Sequence, residues 1–159
     1  MATPQEPRWL GQEEEQAWLT LVSVLLTLSA ALDAQLQRDA GMTFYEYTVL
    51  ARLSNDPNHS VRMSDLAVLT NGSLPRLSQV VTKLEQRGLV RRRKDASDAR
   101  CTFVVLTNLG LKSLERAAPA HVGSVRRLVF DPLTPTQVRQ LRNVHRRIKA
   151  AMAADSAVL

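Results

Sequence analysis

The chain has 159 residues and a formal charge of +6, with a single cysteine, Cys101. That length favours one domain with a core of its own, and the positive balance points to an anionic partner, nucleic acid first. A lone cysteine excludes an internal disulfide and fits a reducing compartment, so a cytoplasmic location is expected.

Met1 to Pro7 carry prolines and a glutamate where a leader would place basic and then apolar residues. From Glu13 to Arg38, Trp18, Leu21, Val22, Leu25, Leu28, Leu32 and Leu36 recur at three-and-four spacing, which predicts an amphipathic helix over 13–38. At about 39 Å it is longer than a compact monomer needs, so part of it is expected to serve a second subunit. Its most apolar stretch, Leu19 to Leu32, is broken by Thr20, Ser23, Thr27 and Ser29, and no membrane span is expected.

Gly41 ends this helix, and Thr43 with Glu46 forms a capping box for a second one running to Ser54. Asn55 to Asn58 make a turn, Ser60 to Arg62 an extended piece, and Ser64 to Leu69 a third helix that Asn71-Gly72 stops. Ser73 caps a fourth helix near residues 74–87, with Pro75 in its first turn and Gly88 at its end. Leu89 to Arg93 and Thr102 to Leu106 read as a hairpin, with Phe103 and Val105 on one face. Thr107 opens a long fifth helix in which Pro119 is expected to cause a kink. Thr134, Pro135 and Gln137 start a sixth, with Val138, Leu141, Val144 and Ile148 as its apolar stripe. The expected fold is mainly α with a small β-wing.

On the fourth helix Leu77, Val80, Val81 and Leu84 cluster on one side. The opposite side carries Pro75, Gln79, Thr82 and Gln86, flanked by Ser78 and Lys83 and with Arg76 and Arg87 towards the edge, slim and uncharged to basic, with Glu85 off to one side. Ser73 at the cap, Pro75, Arg76, Ser78, Gln79, Thr82 and Lys83 are the candidate DNA contacts. Such a face fits a major groove, where Gln reads adenine and Arg or Lys reads guanine. The same face is what any core helix shows to solvent. Its neighbour decides: Arg87, Arg91, Arg92, Arg93, Lys94 and Arg100 fall on the hairpin directly after this helix-turn-helix, where a wing meets phosphates and the minor groove.

The run Leu84-Glu85-Gln86-Arg87-Gly88-Leu89-Val90-Arg91-Arg92, followed by Asp95, Asp98 and Arg100 and then by Leu106-Thr107 with Gly110, resembles the signature of the MarR family of winged helix-turn-helix regulators. The resemblance spans about Glu13 to Met152. It implies a DNA-binding lobe over 43–106, inserted between dimerisation helices over 13–38 and 107–155. A homodimer on double-stranded DNA is expected, acting on a pseudo-palindromic operator, most simply as a repressor. It further implies that Arg100 enters the minor groove and that Asp98, with Asp95 in the turn, orients it. Arg92 and Arg93 are taken as further DNA contacts. Ala96 and Ala99 depart from the family's usual arginines, which implies a weaker grip by the wing.

In the family, small aromatic or phenolic effectors bind between the dimer helices and the DNA-binding lobe, so Trp18, Tyr45 and Tyr47 are the candidate effector contacts, against a purely packing role. Cys101 has no resolving partner, although nearby arginines are expected to favour its thiolate. His59, His121 and His145 lack ligand spacing, so no metal or cofactor is expected. An interaction module that has lost DNA binding is the rival reading, and no enzymatic motif is present.

Overall fold

The computed structural model describes residues 7–95, 98 and 100–156. Its order is α1 (Gln12–Ala40), α2 (Phe44–Ser54), β1 (Ser60–Arg62), α3 (Met63–Leu69), α4 (Leu74–Gln86), β2 (Val90–Lys94), β3 (Thr102–Leu106), α5 (Asn108–Val125), a π-helical turn (Arg126–Phe130) and α6 (Pro135–Ser156). Chain-local signals set most of these bounds. Gly41 adopts φ 61°, and its N–H reaches the carbonyls of Gln37 and Leu36 at the end of α1. Thr43 Oγ1 accepts from Glu46 N at 3.1 Å while Thr43 N donates to Glu46 Oε2 at 2.8 Å, closing the expected box on α2. Thr134 and Gln137 make the same exchange on α6.

The core lies where α2, α3 and α4 meet the sheet and the last turns of α1. Leu36, Val49, Leu50, Leu53, Leu66, Leu77, Val81, Leu84 and Val104 are fully enclosed there. In β3, Val104 and Leu106 point into this core, while Phe103 and Val105 share the other face, as the alternation predicts.

Three sequence expectations change. The hairpin is part of a three-stranded antiparallel sheet in the order β1-β3-β2, with Arg62 and Arg93 both opposite Phe103. Three residues of β1 carry no periodic signal of their own, so only the pairing reveals them as a strand. Second, α5 stays α-helical through Pro119, and the π turn comes only at Arg126. Pro119 stands on the exposed side, where the Glu115 carbonyl it leaves without a helical donor faces water.

Third, α1 is long and apolar enough to cross a membrane by length and composition. The Thr20 and Thr27 hydroxyls on its exposed surface donate back to the carbonyls of Gln16 and Ser23. Packing gives the helix another role: Leu32, Gln35 and Leu36 are buried in its last turns, where α1 meets α5 and α2.

Candidate nucleic-acid interface

Residues α3, the Thr70–Ser73 turn and α4 form the helix-turn-helix. Asn71 takes φ 50° in the turn, and Ser73 Oγ accepts the Arg76 N–H at 3.4 Å as the cap of α4. Gly72 is held by proximity, since a Cβ there would lie 2.0 Å from the Tyr45 hydroxyl. The buried side of α4 is Leu77, Val81 and Leu84. That leaves Ser73, Pro75, Arg76, Ser78, Gln79, Thr82 and Lys83 all exposed.

These side chains are not equally available. Gln79 and Lys83 have no side-chain hydrogen bond or ion pair among the described residues. Arg76 lies over the Tyr45 ring, 4.4 Å from its centroid. The Thr82 hydroxyl donates to the Ser78 carbonyl at 2.9 Å and accepts from Arg92 Nη2 at 2.9 Å. Arg92 itself is half-buried and turned back onto α4, where its Nη1 meets Glu85 Oε2 at 2.7 Å. Glu85, read from the sequence only as lying to one side, is its counter-ion.

The wing carries the remaining cations. Arg93 is exposed with its guanidinium 4.9 Å from the Phe103 ring centroid, and Arg62 covers the same ring at 5.6 Å. Arg62 also stands 4.0 Å from Asp95, and the Asp95 amide donates to the Cys101 carbonyl at 3.0 Å. Arg62 was not singled out from sequence. Its only signal is tertiary, the placement of β1 beside β3.

Asp98 Oδ1 accepts the Arg100 backbone N–H at 2.9 Å, and its other oxygen lies 3.4 Å from the Cys101 thiol. Asp98 therefore shapes the wing tip at the Arg100 main chain. Those contacts also reverse an expectation for Cys101. Its hydrogen bond to Asp98 raises the thiol pKa, with burial and the Asp98 charge adding to that, and the nearby Arg62 offsets them only in part. Ala96 and Ala99 lie outside the described residues.

Arg62, Ser64, Leu74, Ser78, Arg100 and Cys101 line a cleft of about 400 Å³ between wing and helix-turn-helix. A second cleft, about 710 Å³, opens between α1, α2 and α4 and is lined by Asp33, Phe44, Tyr45, Thr70, Arg76 and Val80 among others. Of the three aromatic candidates only Tyr45 reaches it. Tyr47 packs on the buried His121 at 4.3 Å between ring centroids, and burial raises its phenol pKa. Trp18 lies exposed on the first half of α1, about 16 Å along the helix from Ser29 at the cleft's edge. No group of three or more metal-ligating side chains occurs among the described residues.

A sequence profile described as MarR family matches residues 42–102. The structure is similar to Sco3205, a MarR family transcriptional regulator from Streptomyces coelicolor solved in complex with DNA. The two are 42% identical over 92% of this chain and 91% of that one, with a TM-score of 0.89. AbsC, another MarR family regulator of Streptomyces coelicolor, is 38% identical over 93% of this chain and 99% of its own, with a TM-score of 0.88. The transcriptional repressor MprA of Escherichia coli (strain K12) is 28% identical over 116 residues, which are 71% of this chain and 65% of the repressor. The chain thus spans just under two thirds of that curated relative. Helix-turn-helix, wing and capped α5 follow one another in order, the profile covers the helix-turn-helix and the wing as far as Thr102, and two solved relatives align over nearly their full length: the chain belongs to the MarR family of transcriptional regulators, not to a family of enzymes.

Proposed function

We propose that the protein is a cytoplasmic, sequence-specific reader of double-stranded DNA that represses transcription as a homodimer. The observation that carries this reading is the exposed α4 face from Ser73 to Lys83, free of carboxylates at its centre and flanked by Arg62, Arg93 and Arg100. Gln79, Arg76, Ser78 and Thr82 are placed to meet base edges or close phosphates, with Ser73 and Pro75 permitting close approach and Lys83 and Arg93 on the backbone. Arg100 reads the minor groove from a wing tip that Asp98 and Asp95 brace. That Sco3205, 42% identical to this chain, was solved in complex with DNA supports a DNA-binding role.

The homodimer rests on apolar surface that one chain leaves uncovered. Leu19, Val24, Leu25 and Leu26 on α1 and Val144 and Ile148 on α6 are all more than 40% exposed. Two lobes joined there would present α4 to successive major grooves about 34–36 Å apart. An aromatic or phenolic effector acts from the α1–α2–α4 cleft, where Tyr45 touches Arg76; Trp18 and Tyr47 lie elsewhere and have packing roles in this reading.

Selection of duplexes from a random library, repeated at two salt concentrations, tests the reading. The expected product is an inverted repeat, bound more weakly as salt rises and more weakly by Arg100→Ala. Weak binding without sequence preference, unaffected by Arg100→Ala, overturns it in favour of an interaction module. Sedimentation of Leu25→Glu is expected to show loss of the dimer.

A further inference from the structure

The guanidinium of Arg92 is committed inside the protein. Nη1 donates to Glu85 Oε2 at 2.7 Å, and Nη2 donates both to the Ser78 carbonyl at 2.9 Å and to Thr82 Oγ1 at 2.9 Å. The Arg92 backbone N–H donates to the other Glu85 oxygen at 2.8 Å. One carboxylate thus grips the main chain and the side chain of the same wing residue. β2 is an edge strand of the sheet, so this N–H has no neighbouring strand to pair with, and Glu85 takes that place.

An arginine offers a phosphate or a guanine two parallel N–H groups, and either fork uses an Nη2 hydrogen. Nη2 of Arg92 already has two acceptors on α4, the Ser78 carbonyl and Thr82 Oγ1, and Nη1 has Glu85, so in this conformation neither fork is turned to DNA.

From this the geometry points to Arg92 as a positioning residue: with Glu85 it fastens the wing to the recognition helix, setting the angle between α4 and Arg93 and Arg100. The inference rests on the DNA-reading function proposed above. α4 and β2 are separated by only Arg87, Gly88 and Leu89, with Gly88 at φ 70°. A short turn permits several splay angles, and the clamp selects one. It also commits the Thr82 hydroxyl, so Thr82 meets the groove chiefly through its methyl group.

Charge and geometry predict opposite results, which makes the clamp testable. The chain would be prepared as wild type, Arg92→Lys, Arg92→Ala and Glu85→Gln. Hydrogen exchange without DNA reads the clamp directly, and the Arg92 amide is expected to lose about tenfold protection in Glu85→Gln. Binding to the duplex selected by the wild-type protein then reads its consequence. Glu85→Gln removes a negative charge beside DNA yet is expected to weaken binding about five- to tenfold. Arg92→Lys keeps the charge yet is expected to lose as much as Arg92→Ala, and the salt slope stays that of the wild type in all three. Tighter binding by Glu85→Gln, rescue by Arg92→Lys, or a salt slope smaller by about 0.9 in Arg92→Ala would overturn the inference and make Arg92 a phosphate contact. Unchanged Arg92 amide protection in Glu85→Gln would overturn it as well. A wild-type protein that selects no duplex defeats the DNA-reading function instead, while the exchange result still decides whether the clamp exists.

Discussion

The guanidinium of Arg76 on the recognition helix rests on the ring of Tyr45 from α2, 4.4 Å from its centroid, while the Tyr45 hydroxyl bonds Thr70 Oγ1 at 3.0 Å. One side chain thus ties α2, the turn before α4 and a candidate DNA contact together, at the rim of the α1–α2–α4 cleft. Arg76 itself lines that cleft.

Tyr45→Phe keeps the ring and loses only the hydroxyl bond. It is expected to lower stability by about 0.5–1.5 kcal/mol and to leave affinity for the selected duplex within about twofold. Tyr45→Leu removes the ring as well, and binding is expected to fall about threefold, the cation–π contribution at a partly exposed site being about 0.5–1 kcal/mol. Titration of both variants against one duplex checks this. Equal affinity of Tyr45→Leu and wild type would show that the ring does not hold Arg76.

Gly110 in the first turn of α5 is the tightest backbone approach in the chain's glycines that involves main chain, since a Cβ there would stand 2.1 Å from the Leu89 carbonyl oxygen. Thr107 Oγ1 fastens the same junction by donating to the Gly88 carbonyl at 2.7 Å. This contact couples α5 to the turn between recognition helix and wing. Gly110→Ala is expected to destabilise by about 1–3 kcal/mol in urea unfolding, against the gain a helical Gly→Ala change brings where space is open.

His121 is buried against Tyr47 and Phe44, with Nδ1 3.3 Å from Gln35 Oε1, and burial holds its pKa below the ordinary 6.5. The folded protein therefore binds this proton less readily than the unfolded chain. Stability from this site is fully present above about pH 6.5 and is lost as pH falls from there towards the lowered folded value. Denaturant midpoints measured across that window are expected to fall with pH in the wild type and to flatten in His121→Gln. An identical pH slope in the two proteins would remove His121 as the cause.

Cys101 is expected to alkylate slowly, because its hydrogen bond to Asp98 is the leading cause of the raised thiol pKa, and burial and the Asp98 charge act in the same direction. Asp98→Asn removes the charge and lowers the pKa, so iodoacetamide is expected to react several-fold faster at about pH 8. A rate no faster than the wild type's would mean that Asp98 does not control the thiol.

The features legible in the sequence are those whose physics is local. Thr43 with Glu46, Ser73, Thr107 and Thr134 with Gln137 mark helix starts because a cap is satisfied within three residues of itself. The exposed face of α4 was legible for a similar reason: helical period and the apolar side Leu77, Val81 and Leu84 together determine what is left outside. Trp18, Tyr45 and Tyr47 were grouped by aromatic type and by where the family's effectors bind, and the folded chain sends them to three different surroundings, because type carries no information about which helix packs beside which.

By itself, then, the sequence determined the element order, the helix-turn-helix with its basic wing and the side of α4 that faces outward, all consequences of hydrogen bonds and periodicities a few residues long. Only the tertiary structure decided that Arg62 joins the wing and that Arg92 turns inward to Glu85. Each depends on a direction set by strand pairing or by the close approach of two elements. A charge counted in sequence has a sign but no direction, and direction separates an arginine that meets DNA from one that holds the protein in shape.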